Sequence, residues 1–244
     1  MKVKHSTTLQ EVIASLDRVY PLASSDRAAL EALPFETTEH PSHFYLVREG
    51  NRPSACCMLL EGYACRHKTT SSGERQIVSF HIPGDMLDLQ HLELHRADHN
   101  VQTITPATIA WVPKAELQRV IDEHPAVRTA VWRSALIDAS IFREWVLNVG
   151  RREAVSRVAH MLCEFVARRE AAGLGSPDRF RLPMTQEDIA DATGLTPVHV
   201  NRMLQTLGAR GVMTRDKREV RIVDWEGMRR IADFNPAYLH LAGR

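Results

Sequence analysis

Residues 186–207 read Q-E-D-I-A-D-A-T-G-L-T-P-V-H-V-N-R-M-L-Q-T-L, and their spacing decides the fold of the C-terminal part of the chain. Ile189 and Ala190 form the inner face of a first helix, where Ala must be small because a second helix crosses there. Gly194 stands where the turn calls for a positive φ, which glycine adopts without steric cost. Leu195 fills the corner. Thr196 is a good N-cap, and Pro197 occupies the first helical position, where a missing N–H is no loss. Val200, Met203, Leu204 and Leu207 return the second helix to the core at helical spacing. His199, Asn201, Arg202 and Gln205 remain for its outer face. The pattern is that of a helix-turn-helix, which lays its second helix in the DNA major groove.

The surroundings of this segment agree with it. The formal net charge of the 244 residues is +1, but it is unevenly spread. Residues 1–150 carry 15 Lys/Arg against 18 Asp/Glu, whereas residues 151–244 carry 16 against 12. Between Arg202 and Arg221 the cations Arg202, Arg210, Arg215, Lys217, Arg218 and Arg221 face only Asp216 and Glu219. A local basic stripe beside a helix-turn-helix is the electrostatic footprint of phosphate binding. After Gly211, the run Val212–Asp224 alternates around the basic tip 215–218, as a β-hairpin wing does, and Trp225 to Phe234 closes with a short helix. Arg181–Leu182–Pro183–Met184 reads as a short strand leading to Thr185, the N-cap of the first helix.

Composition bounds the rest. At 44% hydrophobic and 25% charged, the chain is ordinary for a globular protein and long enough for one large or two medium domains. No apolar run approaches the ~20 residues needed to span a bilayer. The first ten residues lack the apolar core of a signal peptide, so a cytoplasmic protein is expected, with no membrane partner. Cys56, Cys57, Cys65 and Cys163 lack metal-ligand spacing and read as reduced, partly buried thiols. Cys56 and Cys57 are adjacent on an expected strand and should point to opposite faces.

Residues 11–33 look helical, with a break at Pro21. From about Phe35 to Val112 the texture changes to short strands, expected at 44–47, 55–60, 76–82 and 108–112. Turn signals separate them at Glu49–Gly50–Asn51, Glu61–Gly62, Ser71–Ser72–Gly73 and Pro83–Gly84–Asp85. That rhythm suggests an antiparallel β-barrel or β-roll. Helical spacing resumes over 114–123. Residues 126–149 hold no Pro, no Gly and apolar residues on more than one face, so this long helix needs burial on two sides. One side is its own barrel. The other is expected to meet the same helix of a second subunit, through Val131, Leu136, Phe142, Trp145 and Val149. Gly150 is expected to end it, and another amphipathic helix follows over 151–172. The expected organisation is a sensor part at 1–124, a dimerisation helix at 125–150 and a winged helix-turn-helix domain at 151–244.

The order of barrel, long helix and winged helix resembles the Crp/Fnr family of bacterial transcription regulators, over most of the chain from about Ala28 to Ala232. The most specific matches are 182–190, Gly194–Leu195–Thr196 and Arg202–Met203–Leu204. They are joined by Arg210–Gly211–Val212, Val220–Asp224 and the barrel turns at 61–62, 73–76 and 83–85. The resemblance implies an α+β fold: an antiparallel β-roll of the cupin-like, cyclic-nucleotide-binding-like kind, a long dimerisation helix and a C-terminal winged helix-turn-helix. It further implies a homodimer on a pseudo-palindromic operator, acting with RNA polymerase. The implied DNA contacts are Thr185, Gln186, Thr196, Pro197, Val198, His199, Asn201, Arg202 and Gln205, with Arg215, Lys217 and Arg218 of the wing. Arg202 coincides with an arginine that contacts bases and phosphate in the family, and its fork suits guanine O6/N7. Pro197 and Val198 stand where cyclic-AMP-type members have Arg-Glu. They can make no bidentate base contact, although Val198 can touch a thymine methyl, and Asn201 can read adenine or hold a phosphate. The operator is therefore expected to differ from the best-known family consensus.

The effector site departs as well. Cyclic-nucleotide binders pair a Gly-Glu with a later Arg-Ser or Arg-Thr. Here Gly84–Asp85 matches the first element, while the second falls at Ala97–Asp98 with Arg96 one position early. Asp98, with Asp88 nearby, repels a phosphate. The candidate pocket of Gly84, Asp85, Asp88, Arg96 and Asp98 is thus expected to bind cyclic AMP weakly or not at all. No cofactor is implied, and the small-molecule effector stays open. An Fnr-type iron–sulfur sensor needs a cysteine cluster near the N-terminus, and no cysteine precedes Cys56. His91, His95 and His99 would share one face of a helix as a metal site likes, but they read as structural or solvated, and no metal is expected. Two other functions compete with that of a regulator. One is an enzyme built on a pair such as Asp98 and His99, disfavoured because neighbours on a strand point apart and no catalytic motif is present. The other is a regulatory scaffold whose winged helix only binds protein.

Overall fold

The computed structural model describes residues 8–176 and 178–241. The chain divides into two compact units. Unit 1 contains the chain up to Lys68 together with Phe80–Ala139, and unit 2 contains Thr69–Ser79 and Ser140–His240. The division falls inside the long helix.

Unit 1 opens with α1 (Gln10–Val19) and α2 (Ser24–Glu31), separated at Pro21 as the sequence suggests. Seven strands follow along the chain, β5 falling mostly in unit 2: β1 (Glu36–His40), β2 (Tyr45–Val47), β3 (Ala55–Glu61), β4 (Ala64–Thr69), β5 (Arg75–His81), β6 (Asn100–Thr103) and β7 (Ala107–Pro113). They form two sheets, in the orders β1-β7-β3 and β2-β6-β4-β5, which is the β-roll expected. The sequence pattern marks β2, β3, β5 and β7 but not β1, β4 or β6. Glu36–His40 (E-T-T-E-H) and Asn100–Thr103 (N-V-Q-T) hold few apolar residues to alternate, and β4 is buried at Ala64–His67 with polar side chains inside.

Strand β3, at the edge of its sheet, contributes to both cores of unit 1. Its alternate side chains feed two separate cores, Cys56, Met58 and Leu60 with α1, α2 and α3 (Lys114–Glu123), and Cys57 and Leu59 with Val101 and Ile109. Cys56 and Cys57 do lie on opposite faces, but both are fully buried, as are Cys65 and Cys163. Burial pushes the Cys56 and Cys163 thiols up to about 12, so they stay protonated.

The long helix α4 runs Pro125–Arg151. Gly150 does not end it: the residue sits within the helix, and the break comes two residues later, before α5 (Ala154–Ala171). In unit 2, α5 is buried along most of its length from Val155 to Ala167. Strand β8 (Arg179–Arg181) pairs with β10 (Glu219–Ile222), which also pairs with β9 (Met213–Asp216), giving the three-stranded wing β8-β10-β9. The strand expected at 181–184 therefore lies earlier, because Pro183 has no N–H for a ladder. Helices α6 (Gln186–Thr193), α7 (Pro197–Ala209) and α8 (Trp225–Ala232) complete the unit.

Candidate nucleic-acid interface

Helix α6 starts in a capping box. Thr185 Oγ1 accepts from the Asp188 amide at 3.1 Å, and Asp188 Oδ2 accepts from the Thr185 amide at 2.9 Å. Two of the helix's unpaired donors are thereby satisfied in return for burying Asp188. Arg75, which belongs to unit 2, donates to Asp188 at 3.0 Å and to Asp191 at 2.6 Å, so that buried carboxylate is paired. Gly194 ends the helix at φ 65°, the left-handed conformation the sequence calls for, and a Cβ there would meet Val149 Cγ1 at 3.4 Å.

Helix α7 then begins as expected, with Thr196 as N-cap accepting from the His199 amide at 3.3 Å and Pro197 at the first position. Val200, Leu204 and Leu207 are buried and hold the helix against α5 and α6, with Met203 half-buried. Ile189 and Ala190 face them from α6. The outer side presents Pro197, Val198, Arg202 and Gln205, all exposed, with His199 and Asn201 half-buried. Val198, Arg202 and Gln205 are spaced four and three apart and share one face. Val198 is 73% exposed. The Arg202 guanidinium makes no ion pair or hydrogen bond within the described residues, so its five donors remain available. Gln186 Nε2 donates to Asn201 Oδ1 at 3.1 Å, a brace between the two helices that no local sequence pattern signals.

The wing tip carries Arg215, Lys217 and Arg218, all exposed, and Lys217 takes φ 53° to make the turn. Arg215 Nε donates to the Lys217 carbonyl at 2.7 Å, which leaves the rest of its guanidinium outward. Thr185, Gln186, Thr196 and this tip, with the α7 face, are the expected contact set, and unit 2 holds all of it.

The residues suggested for an effector pocket are each taken up by contacts of their own or exposed. Gly84 (φ 93°) turns its backbone to α1, where a Cβ would lie 2.8 Å from the Glu11 carbonyl oxygen, so it is a packing glycine. Asp85 accepts from the Ile82 amide at 3.1 Å and from His81 Nδ1 at 3.2 Å. Asp88 is fully buried and accepts from the Cys57 amide at 2.9 Å. Arg96 is exposed, and the Asp98 side chain is 76% exposed.

Inside unit 1 lies a buried polar group instead. Arg66 donates to Asp138 Oδ2 of α4 at 2.6 Å and to the Leu87 carbonyl at 2.9 Å. His91 stacks on His99, with ring centroids 5.7 Å apart. His99 Nδ1 donates to Asp98 Oδ1 at 2.7 Å, and its Nε2 accepts from Gln90 Nε2 at 2.9 Å. Burial first, then the nearby Arg66 charge, lowers the His99 pKa to about 4. Asp98 and His99 therefore do not point apart as expected: both precede β6, where no strand pleat separates their side chains. Only Leu89–Leu92 of the histidine stretch is helical, as a single 3-10 turn, so His91, His95 and His99 do not share a helix face. Among the described residues no group of three or more His, Cys, Asp or Glu is placed to hold a metal ion.

Helix α4 also differs from expectation. Trp145 is buried in unit 2, its indole N–H donating to the Glu164 carboxylate at 3.0 and 3.1 Å, and Glu164 also accepts from Tyr238 Oη at 2.7 Å. Val131 packs on the first core of unit 1, and Phe142 and Val149 are half-buried. Of the five residues expected to face a partner, Leu136 is the exposed one, at 52%. Trp132, Val146 and Leu147 are exposed beside it in sequence, with Trp132 at 65% and Val146 at 74%. Apolar spacing marks α4 as two-sided but does not say which side the chain covers for itself. Among the described residues no helix is long and apolar enough to cross a membrane.

Two family models match the chain: a cyclic nucleotide-binding domain over residues 38–124 and a Crp-like helix-turn-helix domain over residues 156–231. The nitrogen fixation regulation protein FixK of Rhizobium meliloti is 30% identical over 189 residues, covering 77% of this chain and 83% of the relative. The transcriptional activator protein FnrA of Stutzerimonas stutzeri is 26% identical over 183 residues, covering 75% of each. Among solved structures, FixK2 from Bradyrhizobium japonicum superposes with a TM-score of 0.74 at 23% identity, over 82% of this chain and 98% of that one.

Proposed function

Because the chain belongs to the Crp/Fnr family of DNA-binding transcription regulators, we propose that it reads a pseudo-palindromic operator as a homodimer, through the exposed face of α7 and the basic wing tip. The observation that carries this reading is the outward row of Val198, Arg202 and Gln205 on a capped, core-anchored helix, with the Arg202 guanidinium unpaired. The cations of the wing tip supply the phosphate contacts that set register. Trp132, Leu136, Val146 and Leu147 of α4 supply apolar surface for a second copy, and two-fold symmetry then places two recognition helices about one DNA turn apart. The regulator acts with RNA polymerase in the cytoplasm.

Its signal is not cyclic AMP. The buried cation of the β-roll, Arg66, is already held by Asp138, so a cyclic phosphate would have to displace a carboxylate. Asp88 and Asp98 add negative charge, and no arginine replaces the missing one, since Arg96 is exposed. The operator differs from the best-known family consensus because Pro197 and Val198 offer no hydrogen bond to a base.

A selection of duplexes by the purified chain from random sequence tests the DNA reading, with affinities then measured at several salt concentrations. Enrichment of an inverted repeat whose binding falls steeply with salt is the expected result. Recovery of no duplex, or of the unchanged consensus, overturns the corresponding part. Titration calorimetry that gave micromolar cyclic AMP binding would refute the effector claim.

A further inference from the structure

Resting on the DNA-binding reading above, we propose that Val198 is a base-reading residue: its methyl groups seat the C5-methyl of a thymine one or two base pairs from the guanine that Arg202 reads. Single exposed apolar side chains are common and mean nothing by themselves. Val198 differs in its position. It lies in the first turn of a capped helix, on the same face as Arg202 and Gln205, while Val200, Leu204 and Leu207 on the other side are the buried residues of that helix. Nothing in the packing of unit 2 requires a valine there.

The chemistry of the groove selects its target. Among base edges in the major groove, only thymine presents an apolar group, and every other feature is a donor or an acceptor that valine cannot answer. Four residues along an α-helix span roughly 6 Å, close to two base-pair steps of about 3.4 Å, so Val198 and Arg202 reach neighbouring pairs of one half-site.

The neighbours of Val198 leave this task to it. Pro197 has no N–H and no polar group. Asn201 Oδ1 accepts from Gln186 Nε2 at 3.1 Å, which holds the side chain against α6. That bond turns the amide toward α6 and leaves its two N–H donors and one Oδ1 lone pair. Val198, exposed on the face it shares with Arg202, adds what Asn201 cannot, an apolar contact to an A·T pair beside the Arg202 guanine.

The test deletes the methyl group from the DNA instead of from the protein. In the duplex enriched by the full-length chain, each thymine of a half-site is replaced in turn by deoxyuridine, which differs only in lacking that methyl. Wild-type protein is expected to lose affinity about fourfold at one position within two base pairs of the guanine, the worth of one buried methyl-sized group. The exposed V198A variant, whose fold is checked by circular dichroism, is expected to bind the thymine and deoxyuridine duplexes equally. Insensitivity to deoxyuridine at every position, or sensitivity that survives in V198A, overturns the proposal while leaving DNA binding intact. An enriched half-site without thymine near the guanine does the same. Failure to enrich any duplex instead overturns the DNA-binding reading, and this inference with it.

Discussion

The Arg66 guanidinium, 5% exposed, sits 2.6 Å from the Asp138 carboxylate, so a cation of the β-roll is neutralised by a side chain of the long helix within unit 1. The second guanidinium nitrogen is spent on the Leu87 carbonyl at 2.9 Å. Removing the carboxylate strands a buried charge, which costs more than the pair itself contributes. D138A is expected to lose about 3 kcal/mol of stability, read as a lowered urea midpoint. D138N keeps a neutral acceptor and should lose less. The double variant R66M/D138L, with no charge left to strand, should recover much of the loss. A D138A midpoint equal to wild type would show that the pair is not holding α4 to the roll.

Acid should weaken the fold through its buried histidines. His99 is held neutral down to about pH 4 and His160 to about pH 3, in both cases chiefly by burial. In the unfolded chain both imidazoles take up protons near their ordinary value of 6.5. Between 6.5 and the depressed value the unfolded state binds more protons, so stability is full above 6.5 and is lost as pH falls. For His99 the window runs from 6.5 to about 4 and is worth roughly 3 kcal/mol. Denaturation midpoints measured from pH 7.5 to 4.5 should fall steadily, and H99Q should flatten that slope. A wild-type midpoint independent of pH over that range would contradict the assignment.

Local chemistry with fixed geometry was legible in the sequence, and pairings across the fold were not. Thr185, Gly194, Thr196 and Pro197 each act within a few residues of themselves, so cap, turn and helix start could be placed from the chain alone. The wing tip at 215–218 was legible for the same reason. Strands β1, β4 and β6 escaped because their stability comes from partners far along the chain, with Glu36–His40 pairing Ala107–Trp111 and Arg66 pairing Val101. Trp145 shows the limit for helices. Its spacing was right for an interface, but Glu164, nineteen residues on, claims its indole N–H. The brace from Gln186 to Asn201 and the pair between Arg66 and Asp138 likewise join residues that no local pattern links.

If α4 is the seam between subunits, charge on its uncovered side must open it. Leu136 is 52% exposed and contributes nothing to the core of its own unit, so L136E should leave the monomer folded. Burying that glutamate against a second copy would cost several kcal/mol. Sedimentation at micromolar concentration is expected to give a dimer for wild type and a monomer for L136E, with weaker operator binding as the second consequence. W145A is the control in the opposite sense: it should destabilise unit 2 through the loss of its packing and of the Glu164 bond, without acting first on assembly. A dimer that survives L136E together with W132E would place the seam elsewhere.

Arg202 and the wing cations should fail differently when removed, because one reads bases and the others read charge. R202A deletes a side chain with no intramolecular partner among the described residues, on the exposed face of α7, so the fold should be untouched. The loss expected is about 1–3 kcal/mol of operator affinity together with relaxed preference at the guanine. K217A and R218A, at the exposed tip, should weaken operator and unrelated duplexes nearly alike. Each should also lower the slope of log affinity against log salt by about one, since one phosphate is no longer neutralised. Competition binding of the three variants to the enriched duplex and to a scrambled one separates the two roles. Were R202A to weaken both duplexes equally while leaving base preference unchanged, Arg202 would be a phosphate contact, and the guanine would have to be read by Gln205 or His199 instead.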